Sequence, residues 1–549
     1  FGQVQTDNNF LNLSPFEQKF SENRSFFTEG TELFTKGNLF YSRRIGVDPV
    51  YKRGFDYDTA TYNLIEDPSQ AKIINATKIS GRTQKGLGIG ILNAITQPQY
   101  AKLQNKTTGE ETSIKTMPLT NYNVFVLDQT LKHNSSVSLV NTNVWRSGSD
   151  YDANVSSALF DFNDKKNTWN LGGNISISNI ISGESKPVTG YAHSIYFGKT
   201  SGQLNFSIYQ DLYNSRYDKS DLGYFTNNNE MDQGGYIGYH WNKPKRWHNN
   251  LNLNFNVYYG RLVSAIDNLK RRELMYQNLG GNINANAQTK KLQFVGFSFY
   301  VNNKYNDFYE PRSYGRVFRN KGSIGVNFSY ESNSSKKYSW TGNLGTGTGG
   351  VFHRTSIDYS LSVKARFNSK FSIEFITSVS NAWNQPGWAA DTTEASGAYH
   401  ILFSRRDVKS VENIFNVKYN FTNRMGITLR TRHSWTKLNV RQLYELDELG
   451  NLITPAVNYT ENVDQNFNFF STDLVYSWQF AQGSFLTLVW KDFAGTNSNF
   501  FEKNYSTNFD KIVKDDQYKS FSLKVIYFID YLTAKRKLRK HNEQLTIDN

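Results

Sequence analysis

Apolar and polar residues alternate along most of this chain. The stretch 249–260 reads NNLNLNFNVYYG, so leucine, phenylalanine and valine occupy alternate positions and asparagine occupies the positions between them. A period of two places successive side chains on opposite faces of a β-strand. The alternation recurs from about Leu39 to Tyr531 without a linker or a change of character. The pattern therefore predicts one large all-β domain rather than a series of smaller domains.

Two kinds of connection separate the predicted strands. Short runs of Lys, Asn, Gly and Ser, such as 164–168 and 368–370, are typical of tight hairpin turns. Longer polar stretches, such as 214–234 and 446–464, alternate with these turns. Short turns at one end and long loops at the other are typical of an antiparallel up-and-down β-barrel. Counting the alternations predicts about 22 strands, with a range of roughly 20–24.

The mean hydropathy and the aromatic content indicate which kind of β-barrel the chain forms. Mean hydropathy is −0.60 and hydrophobic residues make up 38%, which is too polar for a helical membrane protein, yet aromatic residues reach 15%. No run approaches the roughly 18–20 apolar residues that a spanning helix needs. A transmembrane β-barrel explains both values, because only alternate residues face lipid and aromatic side chains form girdles at the two interfaces. We therefore expect a bacterial outer-membrane barrel whose apolar rows contact outer-membrane lipid and lipopolysaccharide.

The two ends of the chain do not follow the alternation. Residues 1–36 mix glutamate with phenylalanine, and we expect a plug-like segment or one at the periplasmic mouth of the lumen. The barrel should then cover 37–531 and begin with a strand at Asn38–Gly46, although membership of the plug is the alternative for this stretch. Residues 532–549 are expected to form a basic periplasmic tail, on the same side as the N-terminal region; a solvated flexible terminus is favoured, and binding to anionic lipid head groups or to a partner is the alternative. Since no signal peptide is visible, we expect the precursor to carry further sequence upstream.

Charge and residue inventory exclude several classes of function. The chain has a formal net charge of +14, eight histidines and no cysteine. The absence of cysteine excludes disulfides, thiolate metal sites and cysteine nucleophiles. No nucleic-acid-binding motif accompanies the positive charge, and no HExxH, GxSxG or phosphate-binding loop is present. We therefore expect no nucleic-acid partner, no metal, no cofactor and no catalytic residues.

Two stretches keep a chemical alternative open. The loop 217–233 is acidic enough to offer oxygen ligands to calcium, although its spacing matches no EF-hand. Its acids are Asp218, Asp221, Glu230 and Asp232. His433 shares the row of Ile427 and Leu429, so we expect it to face outward near an interface. A catalytic role for His433 in a membrane-embedded hydrolase is the alternative.

Charged residues within the alternating strands must point into the barrel, because a charge facing lipid costs about 2–4 kcal/mol near the midplane. The inward candidates are Lys418, Arg430, Arg432 and Lys524. The N-terminal stretch supplies candidate partners at Glu17, Glu22, Arg24, Glu29 and Glu32. We expect the inward basic residues to pair with acids of the plug, and selection of an anionic solute is the alternative.

Aromatic residues also mark one predicted extracellular loop. We expect a long loop at Gln385–His400, continuing into an extended hairpin at Ala398–Asp407. Trp383, Trp388 and Tyr399 lie in or beside this loop, where aromatic rings often stack on sugars, so they are candidates for contacting a ligand. Their alternative role is loop packing or an interfacial girdle.

Several short stretches resemble a known family. They are FGQVQTD (Phe1–Asp7), NLSPFEQKFSENRSFFTEG (Asn12–Gly30), LFYSRRIG (Leu39–Gly46) and the hairpin Ala71–Thr96. Together they resemble a Bacteroidota outer-membrane family in which a family-9-like carbohydrate-binding domain precedes a C-terminal β-barrel of unknown function. The resemblance implies outer-membrane placement and an upstream sugar-binding-like domain. It carries over no catalytic residues.

The sequence favours a plugged outer-membrane barrel that takes up glycans or other solutes. An accessory structural or assembly subunit of a larger complex with other envelope proteins is the first alternative. A membrane-embedded hydrolase is the least favoured, since the chain shows no convergent nucleophile motif.

Overall fold

The computed structural model describes residues 10–49, 57–68, 70–183, 186–265, 275–500, 502 and 504–528. In chain order its strands are β1 Tyr62–Glu66, β2 Ile73–Arg82, β3 Leu87–Thr96, β4 Gln99–Asn105, β5 Glu111–Met117, β6 Thr120–Thr130, β7 Ser136–Arg146, β8 Asp152–Asn163, β9 Trp169–Ile181, β10 Val188–Lys199, β11 Leu204–Tyr213, β12 Glu230–Trp241, β13 His248–Leu262, β14 Tyr276–Thr289, β15 Phe294–Asn302, β16 Tyr305–Asp307, β17 Phe318–Asn320, β18 Ser323–Glu331, β19 Tyr338–Gly349, β20 Arg354–Arg366, β21 Phe371–Thr393, β22 Tyr399–Thr422, β23 Met425–Leu446, β24 Leu452–Ile453, β25 Gln465–Ala481, β26 Ser484–Ser498 and β27 Tyr518–Ile526. The α-helices are α1 Ser25–Thr28 and α2 Tyr505–Lys514, and short 3-10 helices form at Lys36–Asn38 and Ser42–Arg44.

One antiparallel sheet of 22 strands dominates the molecule, which confirms the predicted strand number. Almost every strand pairs with the next along the chain, from β2 to β27. Three excursions interrupt this order: β3 pairs with β6 around β4 and β5, β15 pairs with β18 around β16 and β17, and β23 pairs with β25 beside the two-residue β24. The small strands form separate sheets of three strands (β1, β4, β5) and two strands (β16, β17).

The connections sort into two kinds, as the sequence predicts. The tight turns predicted from the sequence, such as 164–168 and 368–370, lie at one end of the sheet, which we call the turn end, whereas the tight turn 350–353 lies at the other end. Longer connections such as 214–229, 303–322 and 499–517 lie at the opposite end, which we call the loop end. The separation follows from antiparallel pairing, because each hairpin reverses the chain direction.

None of the helices among the described residues has the length and apolar character needed to cross a bilayer.

One face of the large sheet carries exposed apolar rows, and we call it the outer face. The cross-strand register places Ile237, Phe255, Ile283, Phe299 and Val326 opposite one another on five successive strands. Phe255 is 46% exposed and Val326 37% exposed, so no second layer of the described residues covers them. A two-residue period combined with this register makes the apolar rows continuous from strand to strand.

The opposite, inner face holds the main buried cluster. Residues 10–49, which we call the N-terminal segment, contribute Phe27, Leu33 and Phe34 to it. These side chains pack against apolar inner residues of β3, β6, β7 and β8, including Leu92 and Val126. The middle of β6 therefore carries apolar residues on both faces, with Phe125 exposed on the outer face and Val124 and Val126 buried beneath the N-terminal segment.

The expected first strand at Asn38–Gly46 is wrong. The stretch instead forms two 3-10 turns, with Gly37 at φ 68°, a conformation that favours glycine. Leu39 and Ile45 are both buried in the inner cluster. The stretch packs irregularly because its apolar side chains are buried in the inner cluster and none of the described strands pairs with it.

The expected long loop at Gln385–His400 is also wrong, since β21 continues to Thr393 and β22 begins at Tyr399. The extended hairpin expected at Ala398–Asp407 is confirmed. Ile401 and Phe403 are fully buried against Phe318 and Leu446, and this second layer at the loop end explains why the strands continue past the sheet body.

Candidate functional site

The N-terminal segment fits closely against the inner face because glycines leave room for it. A Cβ atom on Gly90 would lie 3.2 Å from the Cβ of Leu33, and one on Gly88 would lie 2.9 Å from the Leu33 Cδ2. Such approaches are tighter than ordinary van der Waals contact, so side chains at these positions would push the segment away from β3. The glycines of β3 thus leave the space into which the N-terminal segment packs.

A buried carboxylate fastens the segment near the turn end. Asp128 of β6 accepts from the Nζ of Lys36 at 2.8 Å and from the Nη2 of Arg82 at 2.6 Å. Its Oδ1 also accepts from the hydroxyl of Ser138 at 2.6 Å. Arg82 in turn pairs with Glu32 of the segment at 2.9 Å. Charge-assisted hydrogen bonds of this kind compensate a carboxylate for its removal from water.

At the loop end the same segment contacts two loops. The Nη2 of Arg312 donates to the Leu13 carbonyl at 3.1 Å, and the Tyr224 hydroxyl donates to the Glu17 carbonyl at 3.0 Å. The segment therefore extends along the inner face from the loop end to the turn end and back. Its first described residues lie at the loop end, whereas β27 ends at the turn end.

The loop 214–229 folds inward over this segment. Arg146, at the end of β7, forms an ion pair with Asp221 in which the two side chains are only 3% and 5% exposed. The Tyr151 hydroxyl donates to the same carboxylate at 2.7 Å. Burial and the neighbouring Lys19 ammonium lower the pKa of Lys219 in this loop to about 8. The loop is thus held by a buried charge pair and carries a lysine whose charge is disfavoured.

The acidic loop does not gather its carboxylates around a metal site. Asp221 is committed to Arg146, and Asp218 Oδ1 accepts from the Ser220 amide at 2.7 Å. Throughout the described part of the chain, no group of three or more His, Asp or Glu side chains could hold a metal ion.

Several candidate plug acids pair within the N-terminal segment itself. Glu22 binds Arg24 at 2.6 Å, and Glu17 binds Arg44 at 2.9 Å. Burial alone would raise the pKa of Glu22, but hydrogen bonds from Arg24 and from the Ser42 hydroxyl outweigh it and hold that pKa below its usual value. These contacts stabilise the fold of the segment rather than its attachment to the sheet.

The inward basic candidates separate into two groups. Lys524 of β27 lies within electrostatic range of Glu29 and Glu22, and Lys78 of β2 donates to the Glu29 carbonyl. The first and last strands of the sheet therefore both face the same short stretch of the N-terminal segment.

The other candidates lie on β22 and β23. The Nε of Arg432 lies 3.4 Å from a carboxylate oxygen of Glu412 on the adjacent strand, Arg430 sits opposite Asp473 of β25, and Lys418 is exposed. Arg432 thus forms its ion pair with a neighbouring strand instead of with the plug acid expected for it.

Beyond the N-terminal segment, the inner face is lined by tyrosine rings and amides. A Cβ on Gly172 would lie 2.3 Å from the Tyr196 hydroxyl, and one on Gly325 would lie 2.1 Å from the Tyr300 hydroxyl, so each ring lies flat across the glycine of an adjacent strand. Three asparagine pairs join β13 to β14 at 2.9 Å each. They are Asn252 with Asn286, Asn254 with Asn284, and Asn256 with Asn282. This wall offers both donors and acceptors.

A cavity of about 400 Å³ opens on this inner wall at the loop end, and we call it the mouth pocket. Its size is within the range of small-molecule sites. Its polar lining includes Tyr258, Tyr300, Asn302, Tyr305, Lys321 and Arg354. Sequence reasoning missed these residues, although the alternation of Asn, Tyr and Gly on the polar rows was the available signal.

The three loop aromatics do not form one cluster. Trp383 lies on the exposed outer row of β21, apart from the other two. The Trp388 indole donates to Asp391 at 2.8 Å, and Tyr399 also hydrogen-bonds to Asp391. The Arg312 guanidinium lies 4.1 Å from the centre of the Trp388 ring. One face of that ring is therefore already occupied by a cation and is not available for stacking on a sugar.

A comparison with family models identifies the group to which this architecture belongs. The model of a domain of unknown function, DUF5916, matches residues 1–538. The chain belongs to this family. No curated protein matches it. The match covers the N-terminal segment and the large sheet together, and the Bacteroidota source and the carbohydrate-binding domain implied by the resemblance stay predictions.

In this DUF5916 chain, α2 covers a polar patch on the outer face. His433 lies on the outer row, as expected, but it is buried beneath the helix. Its Nδ1 is 2.7 Å from the Tyr505 hydroxyl and its Nε2 is 2.8 Å from Asn468 Oδ1. Asn413 donates to the same Tyr505 hydroxyl at 2.7 Å. Both imidazole nitrogens are engaged, so the geometry gives His433 a structural role.

Proposed function

We propose that this chain is an outer-membrane β-barrel that admits hydrophilic solutes through an interior occupied in part by its own N-terminal segment. The observation that carries the proposal is the outer face, where apolar rows run exposed across strand after strand. Ile175, Ile208, Phe297 and Leu344 are all about half exposed on this face. Soluble monomers rarely expose contiguous apolar patches larger than a few hundred Å². Lipid contact is the environment that stabilises such a surface.

The covering of polar outer residues supports the same environment. His433, Asn413 and Asn468 lie on the outer face beyond the apolar rows, and α2 satisfies their hydrogen-bonding groups. In lipid, polar groups that lack water must find partners within the protein. On this proposal the turn end faces the periplasm and the loop end faces outward, as in known barrels.

The strand directions and the N-terminal segment both support closure of the sheet into a barrel. β24 has only two residues beside the end of β23, which leaves 21 of the 22 strands to cross the membrane. Because the number of crossing strands is odd, β2 and β27 both run from the loop end to the turn end. Lys78 and Lys524 approach the same Glu29 from these two strands. We infer that the barrel closes through a parallel β2–β27 seam, and odd-numbered barrels are known.

The lining supports uptake of a hydroxyl-rich solute such as a glycan. The tyrosine and asparagine rows of β9–β19 supply donors, acceptors and aromatic surface. A sugar requires all three, because each hydroxyl both donates and accepts and the ring faces are apolar. The N-terminal segment restricts the same interior along β3–β8.

Solute uptake is tested by liposome swelling in a series of neutral oligosaccharides. Leu33→Asp combined with Phe34→Asp should detach the segment and increase the swelling rate, because two carboxylates cannot remain in the apolar cluster. Phe10→Asp, at an exposed position of the same segment, is the control. Unchanged swelling in a double variant that still inserts and retains β-structure would contradict a plug role.

An accessory role in a larger envelope complex has one specific observation in its favour. The separate sheet of β1, β4 and β5 exposes Leu64, Ile65 and Tyr100. Such residues on a small sheet at the loop end suit contact with a second protein. Co-purification of a stoichiometric partner that is lost on Ile65→Ser and Tyr100→Ser substitution would favour this role.

A further inference from the structure

The mouth pocket differs from the rest of the inner wall in its charge. Lys321 and Arg354 both line it, and no acidic residue does among the described residues. Neither side chain forms an ion pair within the described part of the chain. Both are exposed rather than buried, so their charges are solvated and available to a ligand.

Uncharged groups around these cations are already oriented. The Asn320 amide donates to the Tyr305 hydroxyl at 2.7 Å, and the Asn302 amide donates to Ser323 Oγ at 3.3 Å. The Tyr258 hydroxyl donates to Asn302. These mutual hydrogen bonds fix the pocket wall before a ligand arrives, which lowers the entropy lost on binding.

We propose that the mouth pocket binds the uronic-acid units of an acidic oligosaccharide, with Arg354 and Lys321 holding the carboxylate. This inference rests on the proposed function and names its substrate class. An Arg guanidinium matches the two oxygens of a carboxylate, and the adjacent hydroxyl and amide groups match the sugar hydroxyls. The tyrosines supply the apolar surface that a sugar ring covers.

Other anions fit the pocket less well. Inorganic phosphate would occupy only a small part of a 400 Å³ cavity and would leave the aromatic surface unused. A neutral oligosaccharide would use the hydroxyl and amide groups but would gain nothing from the two cations. The combination of two unpaired positive charges with aromatic and amide groups therefore favours an acidic sugar.

Binding is measured by calorimetry on the full chain in detergent, with trigalacturonate and maltotriose as probes. We expect trigalacturonate to bind at least about tenfold more tightly at low salt, with the difference falling as salt is added. Arg354→Gln with Lys321→Gln should remove this preference and leave maltotriose binding unchanged. Arg354→Lys should restore part of it. Arg366→Gln, at the turn end of the same strand, is the control and should have no effect.

Equal affinity for the two probes, or a preference that survives Arg354→Gln with Lys321→Gln, would overturn the inference. The proposed function fails separately, if the chain is absent from the outer membrane or if liposomes containing it do not swell in neutral sugars. A chain that inserts and conducts neutral sugars without discriminating trigalacturonate would therefore refute the pocket assignment alone.

Discussion

Asp221→Asn should release the loop 214–229 from the interior. In the native chain, the Asp221 carboxylate receives hydrogen bonds from the Arg146 guanidinium and, at 2.7 Å, from the Tyr151 hydroxyl. Asparagine keeps the shape but removes the charge. The guanidinium would then be buried without a counter-charge, and its oxygen partners would be two uncharged carbonyls, that of the new amide and that of Tyr151 at 2.9 Å. Removing one member of a buried ion pair costs about 3–5 kcal/mol.

The pair is almost fully buried, with side chains 3% and 5% exposed, so solvent screening does not reduce this value much. The control is Glu66→Gln, which removes an ion pair with Lys102 of similar length, 2.8 Å, whose side chains are about half exposed. An exposed pair contributes about 0–1 kcal/mol. Replacement of both buried partners, as Arg146→Met with Asp221→Leu, should recover most of the lost stability, because no uncompensated charge remains.

Hydrogen exchange monitored by mass spectrometry, on the detergent-solubilised chain, reports the opening of the loop directly. We expect Asp221→Asn to increase exchange in peptides from 214–229 by about two to three orders of magnitude, which corresponds to 3–4 kcal/mol. The exchange of β12 and β13 should change little. If Asp221→Asn exchanges like the native chain in this loop, or if Glu66→Gln has the larger effect, the ion pair does not hold the loop and the reasoning is refuted.

Three further predictions concern the seam, the loop lysine and the outer helix. In this cysteine-free chain, Lys78→Cys with Lys524→Cys should cross-link through a short bis-maleimide, whereas Lys78→Cys with Lys364→Cys should not; failure of the first pair would exclude a β2–β27 seam. Burial lowers the pKa of Lys219 to about 8. Between about pH 8 and pH 10, the folded state therefore holds this lysine neutral while the unfolded chain keeps it protonated. Stability should therefore rise between about pH 8 and pH 10, and Lys219→Met should abolish the rise in heat-modifiability gels. Tyr505→Phe removes the hydroxyl shared by an asparagine and a histidine of the outer face, and should destabilise the α2 contact by about 1–3 kcal/mol. Unaltered protease sensitivity of the α2 region would show that this hydroxyl is dispensable.

Much of the sheet was predictable because strand formation depends on a local period. Leu253, Phe255 and Val257 alternate with asparagine, and the same alternation fixes which residues share a face on every strand. Tight turns are similarly local, since Asn, Gly and Lys runs specify the reversal by themselves. The strand count and the positions of the turns follow from these two local signals.

The candidate site was less predictable, because its partners are far apart in the chain. Nothing near Arg432 indicated that Glu412 of the neighbouring strand would be its partner, and the sequence assigned it to the plug acids instead. Lys321 and Arg354 were not singled out, since their significance depends on a pocket formed by several strands and a loop. The position of a charged residue in the alternating pattern predicts which face of the sheet it lies on, but it does not predict which residue of another strand is its partner.

The sequence by itself determined that this is an all-β chain of about 22 strands with one apolar and one polar row on most of them. Only the tertiary structure decided what covers each row. The sequence predicts a strand at Asn38–Gly46, which instead packs as an irregular segment, and His433 lies on an outer row yet is buried by a helix some 70 residues away. Local periodicity determines which residues share a face of the sheet. Which segment then packs against that face depends on contacts between distant parts of the chain, and no period along the sequence encodes such contacts.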